Sequence, residues 1–388
     1  MFRNKVCHSP IYRLYTKENF IKPISNSPRR KQGDVIFYKG LKPIVIFCKL
    51  MGLCTIRNIF TNNVASLNYK LISFHTLWGP LFIGVMTAIY FYAGNFEVNI
   101  YIVILLRSSG FVMVLLSCHF DKYLPDLIRE MEKFESRIRN LESDVYEKIF
   151  KKSSTKYWIY ALCFIYYALR IIFISLGVTV YNVKKWDMIK NIQGIFLFLP
   201  RQIFLMCYVY FCYNIKLVIK ALGLVWRHTV DDIMTHKIIR MPVSAEEMLE
   251  NIRIVHVEVL EAVMLLNSVY GTRLLYFVTM SSVELVYTLY ILSITNIEIN
   301  VEYSVFNIVT LYIISSFTED LIEQVSITFY SFLLMIQYLD GLVTNVYISA
   351  ICNLQVEMFM KQITVKKLNV SAAGFFSINK KLLVSVSI

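Results

Sequence analysis

The sequence has few charged residues for its length. Only 17% of its 388 residues are Asp, Glu, Lys or Arg, whereas 56% are hydrophobic. Soluble domains carry about a quarter charged residues, so this shortage excludes an ordinary soluble protein. The charges that are present lie between long apolar runs, a pattern typical of helical proteins that cross a bilayer several times. The sequence therefore predicts an all-α membrane protein.

Other signals are missing as well. Residues 1–34 are polar and basic without an apolar segment, so we expect no cleaved signal peptide and expect the first membrane helix to direct insertion. The eight cysteines show no C-x-x-C spacing, which favours buried thiols over disulfides or metal ligands. No zinc signature, nucleophile elbow or phosphate-binding loop occurs, so we expect neither an enzyme nor a bound cofactor or metal.

The formal net charge is +13, a value also seen in proteins that bind nucleic acid. Here the cations crowd the gaps between apolar runs, in residues 1–42, 121–156, 220–261 and 361–381. Loops 93–97 and 293–302 carry no Lys or Arg. The positive-inside rule then places the N-terminus, both large loops and the pre-terminal segment in the cytosol. We expect membrane lipid as a partner and no nucleic acid.

The apolar runs divide the chain into four parts. Residues 1–40 are a predicted cytosolic basic tail, and residues 41–60, which include Pro43, Lys49 and Arg57, are a predicted interfacial or re-entrant helix. Residues 61–353 are the predicted transmembrane helix bundle with an outer ligand pocket. Residues 354–388 are a predicted cytosolic anchor segment and the start of a pore helix.

Five spans are predicted near 71–93, 98–120, 157–181, 192–219 (interrupted by Pro200) and 263–292. Residues 303–352 could form one long span or two short ones, and the cytosolic charge on both sides requires an odd number of crossings, so we count one. A seventh helix begins at Leu382, but its apolar run stops at Ile388, far short of the about 20 residues that a span needs. We therefore expect six complete transmembrane helices plus a truncated seventh, with the N-terminus inside.

Two polar segments carry apolar stripes at helical spacing, which predicts long cytosolic helical extensions. The first stripe comprises Leu127, Met131, Phe134, Ile138, Leu141 and Val145. The second comprises Ile252, Val255, Val259, Val263 and Leu266, and it continues into the fifth predicted span. We expect the first helix to pack on its neighbours, although a cytosolic bundle between subunits would have the same pattern.

Charged side chains within a span are costly unless they face a cavity or a partner. Arg107, Arg170 and Arg201 fall in the outer halves of three predicted spans, and Glu284 falls at a similar depth in the fifth. One hypothesis is a ligand pocket with a cationic wall, with Glu284 as counter-ion, for a small polar or anionic molecule. Its aromatic lining would be Tyr166, Tyr167, Phe204 and Tyr208. The alternative, of equal weight, is that these charges pair structurally or extend to the interface.

Two short motifs occur after residue 255. The terminal one contains Leu354-Gln355, then Ser371-Ala372-Ala373-Gly374-Phe375-Phe376-Ser377-Ile378-Asn379, then Leu382-Leu383. The second, at the base of the fifth span, contains His256 and Leu260, followed by Leu266-Asn267-Ser268-Val269-Tyr270-Gly271 and Leu274-Leu275. In this order they resemble motifs of the insect gustatory receptor family, and the resemblance covers about residues 60–388. The family motif continues after Leu382-Leu383 with a Thr-Tyr and a Gln-Phe pair, which this sequence lacks. By this resemblance the gate and anchor residues are His256, Asn267, Tyr270, Gly271, Gly374, Phe375, Phe376, Leu382 and Leu383.

The resemblance implies a ligand-gated, non-selective cation channel that detects small-molecule tastants. It implies a homo- or hetero-tetramer with other gustatory receptor subunits, in which the seventh helix of each subunit lines the pore. It also implies the plasma membrane of chemosensory neurons, including dendrite, axon and cell body. The alternatives are a membrane transporter, which would show an internal repeat that we do not find, and a non-conducting truncated receptor subunit.

Overall fold

Apolar residues at helical spacing dominate the chain, and the structure, a computed structural model, is accordingly built of helices. It describes residues 36–50, 54–61, 64–70, 74–92, 100–151, 185–235, 243–295, 301–343, 371–372 and 376–377. All of these belong to one compact unit, Val35–Ile388. The third predicted span, 157–181, and most of the predicted basic tail lie outside the described residues.

Eight α-helices lie within the described residues. They are α1 (Ile36–Leu50), α2 (Phe74–Tyr92), α3 (Ile100–Phe120), α4 (Leu124–Leu141), α5 (Ser143–Tyr146), α6 (Lys185–Thr235), α7 (Val243–Thr295) and α8 (Val301–Val343). Strands β1 (Ile56–Arg57) and β2 (Asn68–Tyr69) pair antiparallel with Ile56 opposite Tyr69. Strands β3 (Ser371–Ala372) and β4 (Phe376–Ser377) also pair antiparallel, and β3 packs against α7. The predicted all-α class is confirmed.

Several helix bounds differ from the predicted ones. The predicted helix 41–60 begins earlier, at Ile36, and its described part ends at Leu50. The Lys49 ammonium in its last turn donates to the Ile56 carbonyl of β1 at 3.2 Å. Helix α6 runs through Pro200 without a break, since packing can offset the one backbone hydrogen bond that proline removes. The stretch 303–352 could have been one long span or two short ones. Its described part forms a single helix, Val301–Val343.

Helices α6, α7 and α8 pack side by side in alternating directions. Residues 201 and 208 of α6 contact residues 284 and 270 of α7, so these two helices are antiparallel. Tyr208 and Lys216 of α6 bond to Thr318 and Asp320 of α8, so α6 and α8 run parallel. Gly223 lets them approach closely, because an added Cβ there would lie 3.3 Å from Thr328.

The two predicted amphipathic stripes form the interface between α4 and α7. Every residue of the α7 stripe is buried, as are Leu127, Met131, Phe134 and Ile138 of α4. The guanidinium Nε of Arg137 lies 3.0 Å from the Glu258 carboxylate across this interface. The prediction that α4 packs on its neighbours is therefore confirmed.

Apolar side chains also cover part of the protein surface. On α2 the exposed ones are Leu77, Trp78, Leu81, Val85 and Ile89. On α7 and α8 they include Val286, Leu289, Tyr290, Ile308, Tyr312, Tyr330 and Leu334. Among the described residues, Ile203–Asp231 is the one stretch long and apolar enough to cross a bilayer, and most of it is buried. A buried core helix has the same length and composition, so the six-span topology stays a prediction.

The start of α1 is fixed by a buried carboxylate. Glu135 of α4 is 1% exposed and accepts hydrogen bonds from the Phe37 backbone N–H at 3.0 Å and from the Tyr146 hydroxyl. The Tyr210 hydroxyl of α6 donates to the Phe37 carbonyl at 2.9 Å. The Glu135 side chain thus joins α1 and α5 to α4.

We expect Glu135→Ala to lower the free energy of unfolding by about 2–4 kcal/mol, because two buried donors lose their acceptor. The measurement is thermal unfolding of the purified full-length chain. Asp126→Ala on the same helix is the control. Its carboxylate is 54% exposed in an ion pair with Arg129, so its loss should cost under about 1 kcal/mol. Equal effects of the two substitutions would contradict this assignment.

Candidate functional site

A buried ion pair joins α6 and α7 at the depth where the sequence predicts charged residues. Arg201 is 2% exposed and Glu284 is 6% exposed. The Nη1 atom of Arg201 lies 2.7 Å from Oε1 of Glu284, and its Nη2 atom donates to the Ser281 hydroxyl at 2.9 Å. The guanidinium also stands 5.1 Å from the ring centroid of Phe277. The guanidinium charge is thus neutralised and hydrogen-bonded within the protein, as burial requires.

An aromatic cluster lies directly beneath this pair. Its members are Phe204, Tyr208, Phe211, Tyr270 and Phe277, and all are buried. Tyr270 occupies its centre, with ring centroids 5.4–5.9 Å from three α6 residues. The Tyr208 hydroxyl shares a 2.7 Å hydrogen bond with the Thr318 hydroxyl of α8. The cluster therefore connects α6, α7 and α8 through side chains that fill the space between them.

A second buried ion pair adjoins the aromatic cluster, with the Arg273 guanidinium 5.6 Å from the Tyr270 ring centroid. It joins α7 to Asp121, the residue that follows α3. Nη2 of Arg273 lies 2.5 Å from Oδ1 of Asp121, and both side chains are at most 5% exposed. The backbone N–H and the hydroxyl of Thr55 both donate to Oδ2 of Asp121 at 3.2 Å. This carboxylate thus holds the segment before β1 against the C-terminal end of α3 and the middle of α7.

A cavity of about 30 Å³ adjoins the second pair. It is lined by Val45, Cys48, Cys54, Ser117, Asp121, Leu124, Ile203, Phe204, Cys207, Tyr270 and Arg273. The Nε atom of Arg273 is buried without a hydrogen-bond partner in the described part of the chain. A volume of this size has room for about one or two water molecules, too little for a drug-sized ligand.

The predicted pocket residues fall into two groups. Arg201, Phe204, Tyr208 and Glu284 come together in the arrangement above. Arg107 falls on α3 with its side chain outside the described part, and Tyr166, Tyr167 and Arg170 lie outside it entirely. The predicted contact of Glu284 with an arginine is present, and it involves Arg201. The pocket itself stays a hypothesis.

The motif residues of α7 lie between its N-terminal part and its middle. Tyr270 and Gly271 are buried, and Tyr270 belongs to the aromatic cluster and lines the cavity. Asn267 is half-buried on the same helix. Desolvation lowers the pKa of His256 to about 4, so its imidazole is neutral near pH 7. Phe376 falls in β4, whereas Gly374, Phe375, Leu382 and Leu383 lie outside the described residues.

The Asp121–Arg273 pair was missed by the sequence reasoning. Arg273 lies within the fifth predicted span, as Arg201 lies within the fourth, so the same criterion of a charge inside a span would have selected it. Asp121 follows the second predicted span directly and gives no such signal. Within the described residues, no group of three or more His, Cys, Asp and Glu side chains could hold a metal ion.

Comparison with solved structures assigns the architecture. The insect olfactory receptor OR5 from Machilis hrabei is similar over 91% of this chain and 96% of its own, with a TM-score of 0.61 and 16% identity. The same receptor in complex with eugenol gives a TM-score of 0.64 with 13% identity over the same shares. This chain has the fold of an insect olfactory receptor. No protein-family model and no curated protein matches the sequence.

At these identities the likeness establishes the fold alone. The two ion pairs and the aromatic cluster are observed in this chain itself and are not inferred from the olfactory receptor. Arg273 and Glu284 are 11 positions apart on α7 (284 − 273), a rise of about 16 Å. The two ion pairs thus attach α7 to the end of α3 at one level and to α6 at another, and the aromatic cluster packs against both arginines.

Asp121→Asn and Arg273→Gln should each lower the free energy of unfolding by about 3–5 kcal/mol, because each leaves the other residue buried without its full charge partner. The double variant should cost clearly less than the sum of the two. A double-mutant cycle on the purified full-length chain measures this coupling. Asp320→Asn is the control, since its pair with Lys216 is half-exposed and worth under about 1 kcal/mol. Strictly additive single effects would refute the pairing.

Proposed function

We propose that this chain is a chemoreceptor subunit of the gustatory type, a ligand-gated and non-selective cation channel of the plasma membrane. The observation that carries the proposal is the fold likeness to an insect olfactory receptor over 91% of the chain. The gustatory receptor motifs at the base of α7 and near β3 and β4 support it independently, because they are read from sequence. The exposed apolar side chains of α2, α7 and α8 suit contact with lipid.

We place the ligand pocket in the outer part of the helix bundle, next to Arg201 and Glu284. A eugenol complex of the olfactory receptor with the same fold supports a small-molecule ligand. Arg201 already bonds to Glu284 and Ser281, so a polar or anionic ligand would compete with these partners for the guanidinium. Such competition would loosen α6 from α7. We further propose that the wall includes Arg107 and Arg170, with Tyr166 and Tyr167 in the lining.

The working channel, in this proposal, is a homo- or hetero-tetramer with other gustatory receptor subunits in chemosensory neurons. The test is whole-cell recording from cells that express the chain, alone and with candidate partner subunits, during application of a small-molecule panel. We expect an inward current that reverses near zero millivolts, as for a non-selective cation channel. Normal surface expression without channel-scale current in any combination would contradict the proposal.

Arg201→Gln, Glu284→Gln and the double variant separate ligand binding from a structural role. If Arg201 contacts ligand, the double variant, which restores charge balance, should reach the surface and still need at least about tenfold more ligand for half-maximal current, a loss of about 1.4 kcal/mol. Dose–response curves and surface labelling measure the two effects. Arg227→Gln, an exposed position on the same helix, is the control. Wild-type ligand sensitivity in the double variant would assign the pair to structure alone.

A further inference from the structure

Two cysteine thiols from different helices lie against each other. The Sγ atoms of Cys48, in the last turn of α1, and Cys207, in the middle of α6, are 3.7 Å apart. This distance fits a weak S–H···S hydrogen bond, in which either thiol can donate. A disulfide needs an S–S distance of about 2.05 Å, so the sulfurs would have to approach by about 1.7 Å.

The surroundings of the pair allow this movement. Both side chains line the cavity of about 30 Å³ beside the Asp121–Arg273 pair, which leaves space on one side of the sulfurs. Cys48 is buried, whereas Cys207 is half-buried and so the more accessible of the two. Cys54 lines the same cavity, but no hydrogen bond joins its thiol to either partner among the described contacts.

We propose that Cys48 and Cys207 form an oxidisable dithiol that peroxides convert into a disulfide between α1 and α6. The Cys207 thiolate attacks hydrogen peroxide, which gives a sulfenic acid and releases one hydroxide, or water after protonation. The Cys48 thiol then attacks this sulfur, the S–O bond breaks, and a second water leaves. Two electrons pass from the two thiols to the peroxide, and no further reactant is needed.

The disulfide would complete the attachment of α1. Its N-terminal end is already held by Glu135 and Tyr210 through the backbone of Phe37. The bridge would fix its C-terminal end to α6 and close a loop between residues 159 positions apart. Long loops of this kind confer large stabilisation on the folded state when closed. Oxidation would therefore raise the melting temperature and restrict movement of α1 against α6.

The experiment exposes the full-length chain in membranes to hydrogen peroxide, blocks remaining thiols with N-ethylmaleimide, and identifies cysteine states by peptide mass spectrometry. We expect a cross-linked peptide pair that contains Cys48 and Cys207, formed slowly because burial limits the access of peroxide to the thiols. Dithiothreitol should release it and lower the melting temperature again. Cys54→Ser is the matched control and should retain the cross-link.

The order of the two steps is tested with dimedone, which traps sulfenic acids. In Cys48→Ser the dimedone adduct should accumulate on Cys207, whereas in Cys207→Ser the Cys48 thiol should stay unmodified. The wild-type chain decides the proposal even if a variant fails to fold. Cys48 and Cys207 both recovered as free thiols after peroxide, or Cys48 linked to Cys54 instead, would overturn it.

Discussion

The structure depends on one constraint, that a charged side chain buried among helices must find a partner of opposite charge. Arg273 meets it through Asp121, and Arg201 meets it through Glu284. Each pair joins α7 to another helix, so the need to neutralise two guanidinium groups also fixes which helices are neighbours and at what height. The apolar side chains around them then fill the space that these contacts leave.

Helix α7 connects the parts of the molecule that matter for the proposed function. It contacts α3, α4, α6, α8 and β3, and it extends from the stripe that packs on α4 to the pair with Arg201. A ligand that competes for Arg201 would act on one end of this helix. The segment around Tyr270, which resembles a gustatory receptor motif, lies about 21 Å from Glu284 along this helix, at 1.5 Å per residue. A rigid helix with a changed contact at one end can transmit that change to the other.

Periodicity in the sequence was enough to predict the stripes of α4 and α7 and the continuity of α7. The apolar runs predicted the bounds of α2 and α3 to within three residues. A charge inside a span was enough to select Arg201 and Glu284. The partner of Arg273 could not be predicted, because Asp121 sits just beyond a predicted span, where carboxylates are common. The proximity of Cys48 to Cys207 depends on how α1 packs against α6, and no local sequence pattern predicts a contact between such distant residues. Pro200 was predicted to interrupt the fourth span, whereas the structure continues α6 through it as helix, since packing elsewhere along a helix can offset one lost hydrogen bond.

The proposed function requires a membrane protein whose N-terminus and large polar segments face the cytosol. Glycosylation mapping tests this most directly: a flexible Gly-Ser loop with one Asn-Gly-Ser acceptor is inserted into one segment at a time of the full-length chain. With the proposed topology, acceptors placed in 93–97 and 293–302 should be glycosylated, and acceptors placed in 142–147 or 236–242 should not. Glycosylation of the acceptors in the large polar segments instead would contradict it.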